Sequence, residues 1–166
     1  DIWEDIRGVS QRLNNDRNEK MLRERSAAFP IDLPYRLINM FSIYGDTILD
    51  PFWGTGTTSL SAIISARNSI GYEIDSEFMA LFKKRVKQIK KIADLINESR
   101  VQQHVEFIKK YKKQVKDVKY KAINYEFPVI TKQEIGMLLY SIKEHINIDN
   151  EFIVDYEKLK FEPKRV

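Results

Sequence analysis

Residues 50–58 read Asp-Pro-Phe-Trp-Gly-Thr-Gly-Thr-Thr, and the class of fold can be inferred from them. Its first two residues end a short, mostly apolar run at 47–51, which predicts a buried strand. Its last two begin a helical pattern at 57–67. Gly54 and Gly56 allow the backbone to turn tightly and to approach a ligand, because no Cβ stands in the way. The helix N-terminus offers N–H groups and a positive dipole end to an anion, so we expect the loop to hold a ligand.

A second buried strand is predicted at 69–73, and it ends at Glu73, seventeen residues after Gly56. Ser76 is expected to cap a long helix that runs to about residue 97. The order of strand, glycine loop, helix, strand and helix is a βαβα unit, which belongs to an open α/β sheet with parallel strands. An acidic residue at the tip of the second strand can accept hydrogen bonds from both ribose hydroxyls of a nucleoside-type cofactor.

The flanking sequence predicts further helices and strands on both sides of this unit. Thr131 and Glu134 form a capping-box pattern, which predicts a helix through about His145. The other predicted elements are a short helix near 16–25, a helix at 31–43 after Pro30, a helix that resumes after a break near 97–99, a β-like stretch at 120–130 and a hairpin arm at 152–161.

Three kinds of nucleotide site are compatible in outline with a glycine loop. A P-loop needs a lysine, and residues 50–58 contain none. A dinucleotide fingerprint needs a third glycine, and Ser59 occupies that position. S-adenosylmethionine carries an ammonium, which Asp50 can face, and a carboxylate, which the loop and the helix end can face. The remaining alternative is a glycine turn with a purely structural role.

The motifs resemble those of the DNA amino-methyltransferases, which methylate the N4 amine of cytosine or the N6 amine of adenine. Residues 50–58 resemble motif I of that family, and residues 69–75, Ser-Ile-Gly-Tyr-Glu-Ile-Asp, resemble motif II. Residues 27–33, with Ala-Ala-Phe-Pro and a following leucine, resemble motif X, and Trp3 resembles the stretch before it. Residues 125–134 resemble a tail found in some members. The order X, I, II is that of the permuted β group, in which the catalytic half comes first.

The resemblance implies an α/β, Rossmann-like S-adenosylmethionine-dependent methyltransferase fold with a mostly parallel sheet, incomplete in this chain. The loop residues would line the methionine end of the cofactor, Glu73 would hold the ribose, and Ile74 would pack on the adenine. Phe29 and Pro30 would close the methionine side, although core packing is the alternative for Phe29 and Ile74. Trp53 is expected to pack on a neighbouring element. The implied cofactor-binding residues are Phe29, Pro30, Asp50, Phe52, Gly54, Gly56, Thr57, Thr58, Glu73 and Ile74.

The family's catalytic tetrapeptide, Asp/Asn/Ser-Pro-Pro-Tyr/Phe, has no match in the chain. It would bind the target amine and stack on a flipped base. Residues 32–35 read Asp-Leu-Pro-Tyr, with leucine for the first proline, inside a predicted helix. No catalytic residue is therefore assigned, and we expect the tetrapeptide upstream of Asp1. The expected organisation is a polar arm at 1–28 after a missing catalytic and DNA-reading part, an S-adenosylmethionine-binding region at 29–97, and a basic helix with a C-terminal α/β extension at 98–166.

Composition and charge narrow the class of protein. The chain has 166 residues, 43% of them hydrophobic, and no cysteine, which excludes a disulfide scaffold and thiolate metal sites. No apolar run approaches the ~20 residues of a membrane helix, so we expect a cytoplasmic protein. The sequence suggests no metal site. Residues 83–121 hold 14 basic and 4 acidic residues, a net charge of +10. This stretch predicts one of two things: a contact with nucleic acid, or a solvated helix face. Arg85 would be part of that solvated face.

The sequence as a whole predicts methyl transfer from S-adenosylmethionine to an exocyclic amine in DNA, within prokaryotic restriction-modification. Motif X favours cytosine N4 over adenine N6. The expected partners are double-stranded DNA and the missing N-terminal catalytic part or a partner chain. Few strands leave an open sheet edge and exposed apolar surface, so a dimer or aggregation is expected for the isolated chain. The alternatives are a non-catalytic nucleic-acid-binding or partner subunit, and a methyltransferase that acts on RNA or a small molecule.

Overall fold

The computed structural model describes residues 28–114 and 118–161. Its contacts divide the chain into two compact units, Asp1–Ile89 and Lys90–Val166, which we call unit 1 and unit 2. The helix predicted near 16–25, the polar arm up to residue 27 and the stretch around Trp3 lie outside the described residues. The functional division at residue 97 stays a prediction. Within the described ranges, no helix is both long and apolar enough to cross a membrane.

Unit 1 contains the predicted βαβα arrangement, preceded by a helix. The two strands are parallel, with Ile48 beside Ser69 and Leu49 beside Ile70. The parallel pairing and the predicted helix before it are therefore confirmed, whereas the prediction that both strands are buried is wrong, because every residue of β1 and β2 is exposed or half-buried. The elements are α1 (Asp32–Phe41), β1 (Thr47–Asp50), α2 (Thr57–Ile64), β2 (Asn68–Gly71) and α3 (Ser76–Val86).

The helices of unit 1 end earlier than the periodicity predicts. α2 ends at Ile64 rather than at residue 67, because Ala66 adopts a left-handed conformation with φ of 55°. α3 ends at Val86, and a new helix begins at Ile89, so the predicted continuous helix from 76 to 97 is wrong. Both Val86 and Ile89 are almost completely buried, so the apolar pattern continues across the break and does not reveal it.

Unit 2 is built on a long helix and short antiparallel pairs. β3 pairs with β4, and β5 pairs with β6, with an irregularity between Ile142 and Glu144. The elements are α4 (Ile89–Gln114, which starts at the last residue of unit 1), β3 (Tyr120–Lys121), β4 (Pro128–Val129), a 3₁₀ helix (Lys132–Gly136), β5 (Tyr140–Ile148) and β6 (Glu151–Lys158). The buried core of this unit consists of Val101, Val105, Ala122, Tyr125, Phe127, Val129, Leu139 and Leu159.

Two predictions for unit 2 are wrong. The break near 97–99 does not occur, because Asn97 is buried within α4 and its side-chain amide donates to the Tyr140 carbonyl at 2.9 Å. The capping box at Thr131 is present, but it opens a 3₁₀ turn that ends at Gly136 rather than a helix through His145. The following residues pair with β6 across a two-residue turn at 149–150 instead. The hairpin arm predicted at 152–161 is thereby confirmed as far as Lys158, where β6 ends.

The fold class is α/β, as predicted, but the sheet is more fragmentary than expected. Three two-stranded sheets occur in the described ranges, and the β1–β2 sheet is the parallel one. The expectation of a mostly parallel sheet is thus met within unit 1, whereas unit 2 is antiparallel. A complete Rossmann-like sheet is absent from residues 28–114 and 118–161.

Candidate functional site

The glycine loop joins β1 to the N-terminus of α2 in a tight turn. Gly54 and Gly56 have φ values of 51° and 69°, in the left-handed region that side chains disfavour. Gly56 is also the residue that precedes α2, and its N–H donates to the Trp53 carbonyl at 2.9 Å. The predicted combination of a sharp turn and an immediate helix start is therefore confirmed.

The two strand ends lie side by side beyond the regular part of the sheet. The Tyr72 N–H donates to the Asp50 carbonyl at 3.0 Å, and the Trp53 N–H donates to the Tyr72 carbonyl at 3.1 Å. These bonds carry the parallel pairing into the loop. They place the residue after Tyr72, which is Glu73, next to the glycines.

Glu73 contacts the glycine loop directly. Its Oε2 accepts a hydrogen bond from the Gly54 N–H at 2.8 Å. Its Oε1 accepts from the N–H groups of Ile74 at 2.8 Å and Asp75 at 2.9 Å. A carboxylate offers about four lone-pair sites, so about one remains for a further donor. A bound diol would therefore have to share or displace the Gly54 bond.

Trp53 supports the loop from inside unit 1. Its side chain is buried, its Nε1 donates to Ser59 Oγ at 2.7 Å, and its ring lies 4.6 Å from the Phe82 ring between centroids. Trp53 therefore packs on neighbouring elements, as predicted. Ser59, which replaces the third glycine of a dinucleotide fingerprint, is the hydrogen-bond partner that this indole requires when buried.

The other predicted site residues occupy different positions around the loop. Phe52 is 91% exposed and Ile74 is fully exposed, so neither is part of the core. The Asp50 carboxylate accepts from the Phe52 N–H at 3.1 Å and lies at the start of the loop. The Thr57 side chain is buried, whereas Thr58 is partly accessible.

The motif X residues that the structure describes, 28–33, lie just before and at the start of α1. Phe29 is 41% exposed, so it is not a core residue, and Pro30 is partly buried. The carbonyl of the next residue, Ile31, accepts a hydrogen bond from Ser61 Oγ in α2 at 3.2 Å. This bond ties the start of α1 to the helix that follows the glycine loop.

A family model for DNA methylases, comprising N6 and N4 methyltransferases, matches residues 1–84 of the 166. The chain belongs to this DNA methylase family.

Individual relatives of this DNA methylase chain are longer than it is. The type II methyltransferase M.MthZI of Methanothermobacter thermautotrophicus is 45% identical over 166 residues, which cover 99% of this chain and 44% of the relative. M.MjaI, a type II methyltransferase of Methanocaldococcus jannaschii, is 45% identical over 85 residues, which cover 51% of this chain and 26% of the relative. The chain thus spans less than half the length of these relatives.

Among solved structures, a DNA modification methylase of Thermus thermophilus, determined with S-adenosyl-L-methionine, is similar to part of this methylase chain. The sequence identity is 30%, the TM-score is 0.36, and the similarity covers 49% of this chain and 40% of that one.

Arg85 is a residue of the candidate site that the sequence did not reveal. The interpretation of Arg85 as part of a solvated basic face is wrong, because Arg85 is only 7% exposed. Its Nη1 donates to the Thr55 carbonyl at 2.7 Å and to Thr57 Oγ1 at 3.1 Å. The signal in the sequence is its position three residues after Phe82, which puts both side chains on the buried face of α3.

Proposed function

We propose that this chain is the cofactor-binding part of an S-adenosylmethionine-dependent DNA methyltransferase. The complete enzyme transfers the methyl group to an exocyclic amine of a base in DNA, cytosine N4 rather than adenine N6. The observation that supports the proposal best is the 2.8 Å hydrogen bond between Glu73 and Gly54, which puts an acidic residue beside a glycine loop. Both lie at the carboxyl ends of parallel strands, where open α/β sheets bind their ligands.

The residues present fit the parts of S-adenosylmethionine. The N-terminus of α2 has N–H groups without partners inside the helix, which suit the carboxylate of the methionine moiety. Asp50 is an anion at the other side of the loop and suits its ammonium. Glu73 suits the ribose hydroxyls, and the exposed Ile74 side chain beside it offers an apolar surface for the adenine ring. When bound, the cofactor supplies an electrophilic methyl group.

The residues of this chain would bind and orient the cofactor, while the target amine is presented by other residues. Phe52 is exposed beside Asp50, and Phe29 is exposed at the start of α1, so both can cover the methionine side. Holding the methyl group in line with an attacking amine is a large part of the chemistry, because a fixed geometry removes the entropic cost of the encounter. The catalytic tetrapeptide is proposed to lie outside residues 1–166.

The proposed partners follow from the family and from the surface of unit 1. The relatives are named type II methyltransferases, which supports restriction-modification and double-stranded DNA as the substrate. Leu49 and Ile70 lie side by side on one face of the sheet, and they are 61% and 50% exposed. We propose that the catalytic part, in the same polypeptide or in a partner chain, covers this face. A cytoplasmic location remains an expectation.

Calorimetric titration with S-adenosylmethionine tests the cofactor site. We expect the wild-type chain, together with its catalytic part, to bind, and Glu73→Ala and Asp50→Ala to weaken binding at least about tenfold, because each removes a charged acceptor. Asp46→Ala is the matched control. Asp46 also accepts a hydrogen bond from a backbone N–H, that of Ile43 at 2.8 Å, but at the other end of β1. Absence of binding by the folded wild type, or unchanged binding by Glu73→Ala, contradicts the proposal.

A second assay identifies the target of methyl transfer. Tritium from labelled S-adenosylmethionine should appear in DNA rather than RNA, and hydrolysis of the DNA should release labelled N4-methylcytosine. Labelled N6-methyladenine would contradict the cytosine assignment and leave the cofactor site intact. Binding of DNA without any transfer would favour the non-catalytic alternative instead.

A further inference from the structure

Arg85 lies on α3, and its guanidinium bonds to the glycine loop from inside unit 1. We infer that Arg85 is a positioning residue, which holds the glycine loop in the shape that the cofactor requires. The inference rests on the proposed function. It assigns a role to a residue outside all the motifs that the family resemblance brought together.

The contacts of Arg85 lie on both sides of Gly56. A single nitrogen, Nη1, donates to the Thr55 carbonyl at 2.7 Å and to Thr57 Oγ1 at 3.1 Å. The Thr55 and Thr57 hydroxyls are also 3.1 Å apart and bonded to each other. The guanidinium therefore clamps the two residues that flank the left-handed glycine.

These bonds are strong because they are formed away from water. Arg85, Thr55 and Thr57 are all more than 90% buried. Charge-assisted hydrogen bonds are roughly twice as strong as neutral ones, and a low local dielectric strengthens them further. Loss of the guanidinium would leave the Thr55 carbonyl buried without this donor, which favours a rearranged loop.

The clamp sets the direction of the groups that face a ligand. Thr57 is the first residue of α2, so its backbone N–H belongs to the helix end proposed to meet the cofactor carboxylate. Gly54, on the other side of the clamp, presents its N–H to Glu73. Arg85 also adds a buried positive charge behind the helix N-terminus, which strengthens the attraction for an anionic group.

Phe82, on the same face of α3, occupies the space beside Gly56, so the loop cannot move toward the core of unit 1. A Cβ at Gly56 would lie 2.3 Å from a ring carbon of Phe82 and 2.8 Å from Trp53. The aromatic rings thus support the loop at Gly56, and Arg85 holds the residues on each side of it.

Arg67 provides a matched control within unit 1. It is 8% exposed, and its guanidinium likewise donates to backbone carbonyls, those of Ser42 at 2.7 Å and of Ser65. It precedes β2, at the opposite end of the parallel strands from the glycine loop. Substitution of Arg67 therefore tests the loss of a buried arginine without a change at the loop.

The experiment compares Arg85→Lys with Arg67→Lys in the wild-type background and in the presence of the catalytic part. Thermal unfolding, calorimetric titration with S-adenosylmethionine and amide hydrogen exchange of residues 53–58 are measured for each. We expect both variants to lower Tm, but only Arg85→Lys to raise the Kd for S-adenosylmethionine, by about tenfold, and to accelerate exchange in the loop. Arg67→Lys should leave the Kd within about twofold of the wild-type value.

Two outcomes overturn the inference. Equal changes in Kd for both variants would mean that Arg85 acts through global stability alone. If Arg85→Lys changes neither the Kd nor the rate of hydrogen exchange in the loop, the clamp is dispensable. If Arg85→Lys does not fold, Arg85→Gln, which retains donors without the charge, provides the same comparison. A folded wild type that binds no S-adenosylmethionine overturns the proposed function instead, and loop exchange then decides by itself whether Arg85 holds the loop.

Discussion

The Trp53 side chain explains why a glycine is needed in the second strand. A Cβ at Gly71 would lie 2.1 Å from Cδ1 of the Trp53 indole, which is closer than atoms can approach. The indole is itself held by Ser59 and by Phe82, so it cannot move freely. The resemblance to motif II includes this glycine, and its physical basis is the space taken by a side chain of motif I.

Gly71→Ala should lower the free energy of unfolding by about 1–3 kcal/mol, because it overpacks the contact with Trp53. The effect should be smaller in a Trp53→Leu background, since the shorter side chain makes room for the methyl group. Urea unfolding of the two single variants and the double variant measures this coupling. Gly136→Ala is the control, because a Cβ there would meet no heavy atom within 4 Å. Additive effects of the Gly71 and Trp53 substitutions would contradict the explanation.

Among the helices, α3 is capped by a different residue from the one predicted. Ser76 is the first residue of the helix, whereas Asp75 precedes it and its Oδ1 accepts from the Glu77 N–H at 3.0 Å. An aspartate in this position also interacts favourably with the positive end of the helix dipole. The cap follows Glu73 by two residues, so it stabilises the helix that begins beside the candidate site.

Asp75→Ala should therefore cost about 1 kcal/mol of unfolding free energy. Ser76→Ala should stay within about 0.5 kcal/mol, because Ser76 is exposed and does not serve as the cap. Chemical unfolding of both variants distinguishes the two. A larger loss for Ser76→Ala than for Asp75→Ala would show that the predicted cap is the correct one.

The capping box of the 3₁₀ helix gives a prediction about pH. Burial by itself would raise the pKa of Glu134, but hydrogen bonds from Thr131 and Ile130 to its carboxylate outweigh burial and hold the pKa below its ordinary value of 4.5. A carboxylate with a lowered pKa in the folded state stabilises the protein above the unfolded-state pKa. This stabilisation is lost as the pH falls through the lower, folded-state pKa.

Glu134→Gln should accordingly be less stable than wild type at neutral pH, and the difference should shrink as the pH falls below about 4. Urea unfolding over a range of pH measures the difference. Glu126→Gln removes an exposed carboxylate in the same unit and serves as the control. A difference between Glu134→Gln and wild type that stays constant down to low pH would exclude the proposed contribution of the ionised carboxylate.

In the molecule as a whole, several large apolar side chains of unit 1 are exposed. The parallel pair presents Leu49 and Ile70 on one face, and Met40, Phe41 and Ile43 at the end of α1 are more than half exposed. Parallel sheets normally have both faces covered. The expected consequence is association, either with the proposed catalytic part or with a second copy.

The 166-residue chain alone should therefore self-associate in a concentration-dependent way in sedimentation velocity experiments. The double substitution Leu49→Thr/Ile70→Thr should shift it towards monomer, because it removes apolar area while it retains a high preference for strands. Ile146→Thr changes an exposed isoleucine of β5 and should have little effect. A wild-type chain that stays monomeric at all concentrations tested would contradict the prediction.

Local sequence patterns were sufficient to predict the βαβα unit, the glycine loop and the position of Glu73 after the second strand. These features depend on local patterns: apolar runs, glycines between a strand and a helix, and a short distance along the chain to the next strand. The sequence also predicted that Trp53 packs on a neighbouring element. The resemblance to the DNA amino-methyltransferases is confirmed by the family match over residues 1–84.

The folded structure was needed to show that α4 continues through Asn97, that residues 140–148 form a strand and that Arg85 is buried. Each of these features depends on groups distant in sequence: the Asn97 amide donates to the Tyr140 carbonyl, β5 pairs with β6, and Arg85 donates to a carbonyl 30 residues before it. A charged residue in a basic run favours solvent unless the fold supplies acceptors that compensate for its burial. Those acceptors come together only when α3 packs against the glycine loop, and no local pattern contains that information.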